Sequence, residues 1–160
     1  MGTEIERKFL VSGDGWRAGA AAEVMRQGYV SREPGRTVRV RVAGARAYLT
    51  LKGARQGLRR AEFEYEIPLA DGEALLTELC QPVLVEKTRH RVVFAGLTWE
   101  VDEFANANAG LVLAEVELEH EAQPVALPPW VGAEVSTDAH YTNAYLSVHP
   151  YSTWPRRPAA

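Results

Sequence analysis

The chain has a single cysteine, Cys80, in 160 residues. One thiol cannot close an internal disulfide, nor can it build a thiolate zinc site. Its four histidines, His90, His120, His140 and His149, show neither i, i+4 pairing nor H-E-x-x-H spacing, so a histidine zinc site is not expected. There is no G-x-S-x-G elbow and no Walker A loop. No apolar run approaches the roughly 18 residues that suggest a membrane-spanning helix, so no membrane partner is expected. The opening segment, MGTEIERKFLV, carries charge where a secretory signal needs an apolar stretch, and a cytoplasmic location follows as the expectation. Basic residues number 18 and acidic residues 21, a net charge of −3, which argues against a nucleic-acid partner. With 46% hydrophobic and 24% charged residues the chain is not disordered, and its length suits one domain. Whether it is a monomer or a homodimer is left open.

Lysine is scarce too. Of the 18 basic residues 15 are arginine, and the three lysines are Lys8, Lys52 and Lys87. What is abundant is alternation of period two. It runs through Thr3 to Val11, Thr37 to Val42 and Ala47 to Lys52, and Val24 to Ser31 is read as a strand beside them. The alternation continues through Glu62 to Ile67, Val83 to Phe94, Leu97 to Phe104 and Leu111 to Glu119. These make about eight strands, punctuated by Gly44, Gly53, Gly57 and Gly96, and the spacing suggests an antiparallel meander. Asp71 to Cys80 is predicted to be a helix with Leu75, Leu76 and Leu79 on one face and Asp71 as its N-cap. Thr137 to Val148 is predicted to be a second helix, with Tyr141, Ala144, Tyr145 and Val148 in one stripe. Gly15 to Ala22 is read as a short helix or loop, and the proline-bearing stretch from Gln123 to Trp130 as a loop.

Residues at i and i+2 share a strand face. Here the polar faces carry grouped charge. Glu4, Glu6 and Lys8 share one, as do Arg39 with Arg41, and Glu62, Glu64 and Glu66. So do Lys87, Arg89 and Arg91, then Glu100 and Asp102, then Glu115, Glu117 and Glu119. Taken singly, each group reads as a solvated face with cross-strand ion pairs of about 0.2–1 kcal/mol. Six such strands together instead suggest a barrel with a charged interior. Carboxylates hold Mg²⁺ or Mn²⁺, and Arg and Lys hold phosphate oxygens. Cys80, Tyr141 and Tyr145 read as core residues. By alternation Trp99 lies opposite Glu100 and Asp102, and is expected to pack under a helix.

Glu4-Ile5-Glu6-Arg7-Lys8 near the N-terminus resembles the ExExK signature of the CYTH superfamily, also called triphosphate tunnel metalloenzymes. The likeness continues through Arg39-Val-Arg41, Leu49-Thr-Leu-Lys52-Gly53, the Glu62/Glu64/Glu66 strand and Glu86-Lys87-Thr88-Arg89. It extends to Trp99-Glu100-Val-Asp102, Ala114-Glu115-Val-Glu117 and Tyr141-x-Asn143, covering about residues 3–148. The pattern is most similar to the small bacterial inorganic triphosphatases. The resemblance implies a closed antiparallel eight-stranded barrel, an α+β fold that is mostly β, with a few outer helices. It implies one domain over residues 1–149 and a flexible tail over 150–160. It implies metal-dependent hydrolysis of a small anionic triphosphate, inorganic tripolyphosphate to pyrophosphate and phosphate, with Mg²⁺ or Mn²⁺. Lys8, Arg39, Arg41, Lys52, Lys87 and Arg89 would hold the substrate. Glu4, Glu6, Glu115 and Glu117 would form the main metal site, with Glu62, Glu64 and Asp102 adding to it or to a second one. Glu4, Glu6, Lys8 and Lys52 would be catalytic. The choice between Glu62 and Glu64 stays open, and Arg59-Arg60 is read equally as a tunnel-mouth pair or as solvated turn residues. A class IV adenylate cyclase, a thiamine triphosphatase and a non-catalytic polyphosphate-binding module are the alternatives. No signature of a base-binding pocket is recognisable.

Overall fold

The structure, a computed structural model, describes residues 2–80 and 84–155. Nine strands and two α-helices follow one another: β1 (Thr3–Val11), β2 (Ala21–Glu33), β3 (Arg36–Ala43), β4 (Arg46–Gly53), β5 (Arg59–Ile67), α1 (Leu69–Glu78), β6 (Val85–Phe94), β7 (Leu97–Phe104), β8 (Val112–Glu117), β9 (Val131–Glu134) and α2 (Asn143–Leu146). All pairings are antiparallel, and the order β5-β4-β3-β2-β6-β7-β8-β1 closes on itself through a β1–β5 pair. The result is a closed eight-stranded barrel with β9 added to β1. Closure leaves these strands no free edge.

The hairpins form at the glycines. Gly44, Gly57 and Gly96 all have positive φ, and Ala95 precedes Gly96 at φ 49°, the pair of left-handed residues a tight hairpin needs. The arrangement is not a simple meander, because β2 pairs with β6 and β1 with β8 and β5. Gly15 to Gly19 is a loop, and β2 starts three residues before the expected Val24. Val83, where the β6 strand was expected to begin, lies outside the described residues, as do the last five residues of the tail.

The barrel is charged within and apolar outside. Ile5, Phe9, Trp99, Val101, Ala114 and Val116 face outward and are buried against Trp16 and Trp130. Trp99 therefore packs on Phe9 and Trp130, with ring centroids 5.6 and 5.7 Å away, rather than under a helix. A second outer cluster, Val40, Val42 and Ala47, is covered by Leu76 of α1. Leu79 is 59% exposed and does not join it. Asp71 lies in the first turn of α1, whose N-cap is Pro68.

One end of the barrel interior is apolar. Val85 shares a strand face with Lys87, Phe104 with Asp102, Leu113 with Glu115, and Leu10 with Lys8. These four meet Tyr141 and Leu146 in a third cluster, which fills that end. The segment supplying Tyr141 is not one continuous helix. A 3₁₀ turn spans Ala139–Tyr141, Thr142 is extended (φ −82°, ψ 149°), and α2 then runs for four residues. Thr142 caps α2, its hydroxyl accepting from the Tyr145 backbone N–H at 3.2 Å. The first part of the tail expected to be flexible packs on this plug: Tyr151 and Trp154 join the cluster, and the Trp154 ring lies 5.3 Å from that of Tyr141.

Candidate functional site

The charged remainder of the interior is a cavity of about 710 Å³. Its wall includes Glu4, Glu6, Lys8, Arg39, Arg41 and Lys52, and equally Glu62, Glu64, Arg89, Glu115 and Glu117. Strand alternation puts them there. The register then stacks them, with Glu6 opposite Glu117, Lys8 opposite Glu115 and Lys52 opposite Glu62.

The acids gather around β1. Lys52 Nζ donates to Glu4 Oε2 at 2.9 Å and lies 3.4 Å from Glu62. Lys8 Nζ lies 3.5 Å from Glu115 and Arg55 Nη2 3.8 Å from Glu6. The other oxygen of Glu4, Oε1, is buried without a hydrogen-bond partner. Burial, then the charges of Glu115 and Glu4, push the Glu6 carboxyl up to about 8. Glu62 is raised by burial and by Glu4, and Glu117 by burial, Glu4 and Glu100. Burial works against ionising Glu115, but Lys8, Arg89 and Lys87 outweigh it and hold that carboxyl well below the usual range.

The cations gather across β3 and β6. Arg41 Nε donates to the buried Gln27 Oε1 at 3.0 Å. Burial, then Arg39 and Arg89, push the Arg41 guanidinium down to about 9. Arg39 donates weakly to Thr50 at 3.3 Å, and the Thr50 hydroxyl donates to Glu64 at 2.8 Å. Glu62 thus sits against Glu4 and Lys52, and Glu64 against Thr50 and Arg39. Both line the cavity.

Two expected site residues stand behind the wall rather than on it. Asp102 is 1% exposed, and both its oxygens are taken: Arg89 Nε at 2.8 Å, Arg89 Nη2 at 2.9 Å and Lys87 Nζ at 2.7 Å. Those cations hold Asp102 down at about 2 against its burial. Lys87, pushed down to about 7 chiefly by burial, also donates to Asn143 Oδ1 at 3.2 Å. Asp102 and Lys87 therefore fix the Arg89 fork and tie it to the plug. Lys8 does the same from β1, donating to the Tyr141 carbonyl at 3.0 Å.

Several wall residues lie outside the set expected to hold metal or substrate. Of the pair read as tunnel-mouth or solvated turn residues, Arg60 shares a face with Glu62 and Glu64 and lines the cavity opposite Glu4, while Arg59 is exposed. Arg91 and Glu100 also line the cavity, and their alternation with Arg89 and Asp102 was the available signal. Tyr29, Tyr48 and His149 add aromatic surface that no linear motif announces, and so does Tyr145, which was expected in the core but lies on the cavity wall because α2 is a short turn rather than part of a continuous helix.

Oxygen-only donors at the acid end suit a hard divalent cation. The unpartnered Glu4 oxygen and the proton held by Glu6 are what a bound cation would relieve. Among the described residues, no three acidic side chains already converge as a metal cluster; Lys52, Lys8 and Arg55 take their oxygens instead.

A closed antiparallel barrel holding such a tunnel defines a class, and the sequence agrees: the chain belongs to the CYTH domain family, whose profile matches residues 2–145. It is 45% identical over 154 residues to an inorganic triphosphatase of Acetivibrio thermocellus, covering 96% of this chain and 99% of that one. It is 38% identical over 152 residues to an inorganic triphosphatase of Nitrosomonas europaea, covering 91% and 97%. A crystal structure of an inorganic triphosphatase superposes with a TM-score of 0.64 at 37% identity, covering 90% of this chain and 97% of the other. A putative adenylyl cyclase from Hippeastrum superposes at 0.58 and 15% identity over 73% of this chain, which shows a shared fold alone. No helix among the described residues is long and apolar enough to cross a membrane.

Proposed function

We propose that this chain hydrolyses inorganic tripolyphosphate to pyrophosphate and orthophosphate, with Mg²⁺ or Mn²⁺ at the acid end of the tunnel and in a cytoplasmic setting. One observation carries the reading. A single cavity buries two sets of like charges, and burial first, then the neighbouring like charges, raises Glu6 to about 8 and lowers Arg41 to about 9. The acids gain from a divalent cation and the arginines from a polyanion, and a metal–triphosphate complex supplies both. The two relatives of that name, at 45% and 38% identity, support the substrate.

Glu4, Glu6, Glu115 and Glu117 would hold the metal, with Glu62 beside them. When bound, such a cation lowers the pKa of water and screens phosphate charge. The chain's own part is positioning and neutralisation, which is most of what phosphoryl transfer asks of a protein. Arg39, Arg41 and Arg89 would grip the phosphate chain, with Lys8 and Lys52 at the boundary with the acids. Asp102 and Lys87 would keep Arg89 aimed into the tunnel. The apolar plug closes one end and limits water there.

The test is ³¹P detection of products from tripolyphosphate with and without Mg²⁺. Pyrophosphate and orthophosphate in equal amounts are expected, with turnover dependent on metal. ATP should show a kcat/KM lower by roughly tenfold to several-hundredfold or more, because bulk on one phosphate displaces one or two charge-assisted contacts of ~1.5–3 kcal/mol each. Cyclic AMP as the main product from ATP would replace this reading with a cyclase. Tight binding without turnover would replace it with a polyphosphate-binding module.

A further inference from the structure

We propose that a second cavity, sharing a wall with the tunnel, is a separate phosphate subsite. The cavity measures about 360 Å³. Arg55, Arg60 and Thr142 line both spaces and form the partition, while Ser136, Thr137 and Asp138 line only the smaller one.

Charge and hydrogen bonding both favour an anion there. Arg55 Nη1 and Arg60 Nε are buried N–H groups with no acceptor. Buried donors left unpaired are costly, so both guanidinium groups gain by turning to an anionic acceptor. The one acid on this wall, Asp138, has its Oδ1 engaged by the His140 backbone N–H at 3.0 Å and by the His140 ring at 2.7 Å. Ser136 is engaged too, its hydroxyl donating to Glu134 at 2.6 Å and accepting from the Lys8 backbone N–H at 2.9 Å. Thr137 is exposed and lines the cavity. Arg55, itself 3.8 Å from Glu6, and Arg60 bring two guanidinium groups to this wall beside the engaged Asp138, and with the Thr137 side chain they suit a tetrahedral oxyanion.

Its position suggests where the phosphate comes from. Arg55 also faces Glu6, at 3.8 Å, so the recess lies beside the acid end of the tunnel. On the proposed reading, that is where the terminal phosphoryl group is cut. The recess can then receive the released orthophosphate, or the next phosphate of a chain longer than three. The source of the phosphate rests on that reading; binding itself does not.

Thr137→Glu adds a carboxylate to the recess without touching any tunnel residue, and Thr137→Lys adds a cation. Orthophosphate should inhibit tripolyphosphate hydrolysis by the wild type with a noncompetitive component. Thr137→Glu should weaken that inhibition tenfold or more and Thr137→Lys should strengthen it, both at unchanged kcat/KM for tripolyphosphate. If the recess serves longer chains, Thr137→Glu also lowers kcat/KM for tetrapolyphosphate about tenfold; if it serves only the product, it does not. Purely competitive inhibition that is the same in all three proteins overturns the subsite. Should tripolyphosphate not be hydrolysed at all, the proposed function fails. Calorimetric titration of the three proteins with orthophosphate then decides the subsite alone, with equal affinities as the contradicting result.

Discussion

At the scale of single residues, Glu6 is the most informative side chain. Its carboxyl ordinarily ionises near 4.5 and here near 8. Between those values the folded chain keeps a proton that the unfolded chain releases, so stability falls as pH rises through that window. Lys87, lowered to about 7, works the other way above neutrality, since there the folded chain holds fewer protons than the unfolded one. The net loss should therefore be steepest below pH 7. In EDTA, the Tm of the wild type should drop from pH 5 to pH 7, and Glu6→Gln should flatten the drop. Excess Mg²⁺ should flatten it as well, with a metal affinity that increases with pH as Glu6 gives up its proton. An unchanged slope in Glu6→Gln would show that Glu6 is not the buried proton holder. The sequence made the inward placement of Glu6 legible, because alternation assigns every second residue to one face. It could not separate Asp102 from its neighbours. Glu100 lines the cavity while Asp102, two residues on, is buried behind Arg89. Alternation gives the face, but depth along the barrel depends on the register of strands distant in sequence.

Among the elements, the strands were the most legible and the C-terminal segment the least. Most of the eight barrel strands announce themselves by period two, β2 being the exception, and the resemblance implied closure. The ninth does not: β9 is four residues long, includes Gly132 and follows a proline-bearing loop, and only its pairing with β1 makes it a strand. The expected helix over Thr137–Val148 has the right apolar spacing for its type. It breaks at Thr142 because tertiary contacts on either side claim the backbone. Lys8 takes the Tyr141 carbonyl, and the Thr142 side chain starts a new turn. Helix α1 shows a different limit. Leucine spacing suggested its face, yet a glycine brings it close to the barrel. A Cβ on Gly72 would collide with the side chain of Ala47 and press on Val42. Gly72→Ala should therefore destabilise the fold by ~1–3 kcal/mol through overpacking, despite alanine's better helix propensity. Urea unfolding at fixed pH measures it, and an equal or greater stability would mean that α1 shifts freely on the barrel.

For the molecule as a whole, the barrel reverses the usual placement of charge. Its apolar faces point outward beneath the Trp16–Trp130 region and α1, and its ionisable groups point inward. The interior is held by ion pairs such as Lys52–Glu4 and Lys87–Asp102, at 2.9 and 2.7 Å. These pairs do not offset the burial and the like-charge repulsion that shift Glu6 and Arg41. A metal relieves one set and a polyanion the other, so the two ligands should reinforce each other. The most direct measurement is thermal unfolding with Ca²⁺ as a metal chosen not to support turnover, kept in excess over tripolyphosphate so that chelation does not strip it. Four samples are compared: protein alone, with Ca²⁺, with tripolyphosphate, and with both. Each saturating ligand stabilises by mass action, about 2.7 kcal/mol at a hundredfold excess over Kd. The expected result is a rise in Tm with both ligands that exceeds the sum of the separate rises. A Tm insensitive to tripolyphosphate, or a combined rise no greater than the sum, would contradict a buried site built for a metal–triphosphate complex.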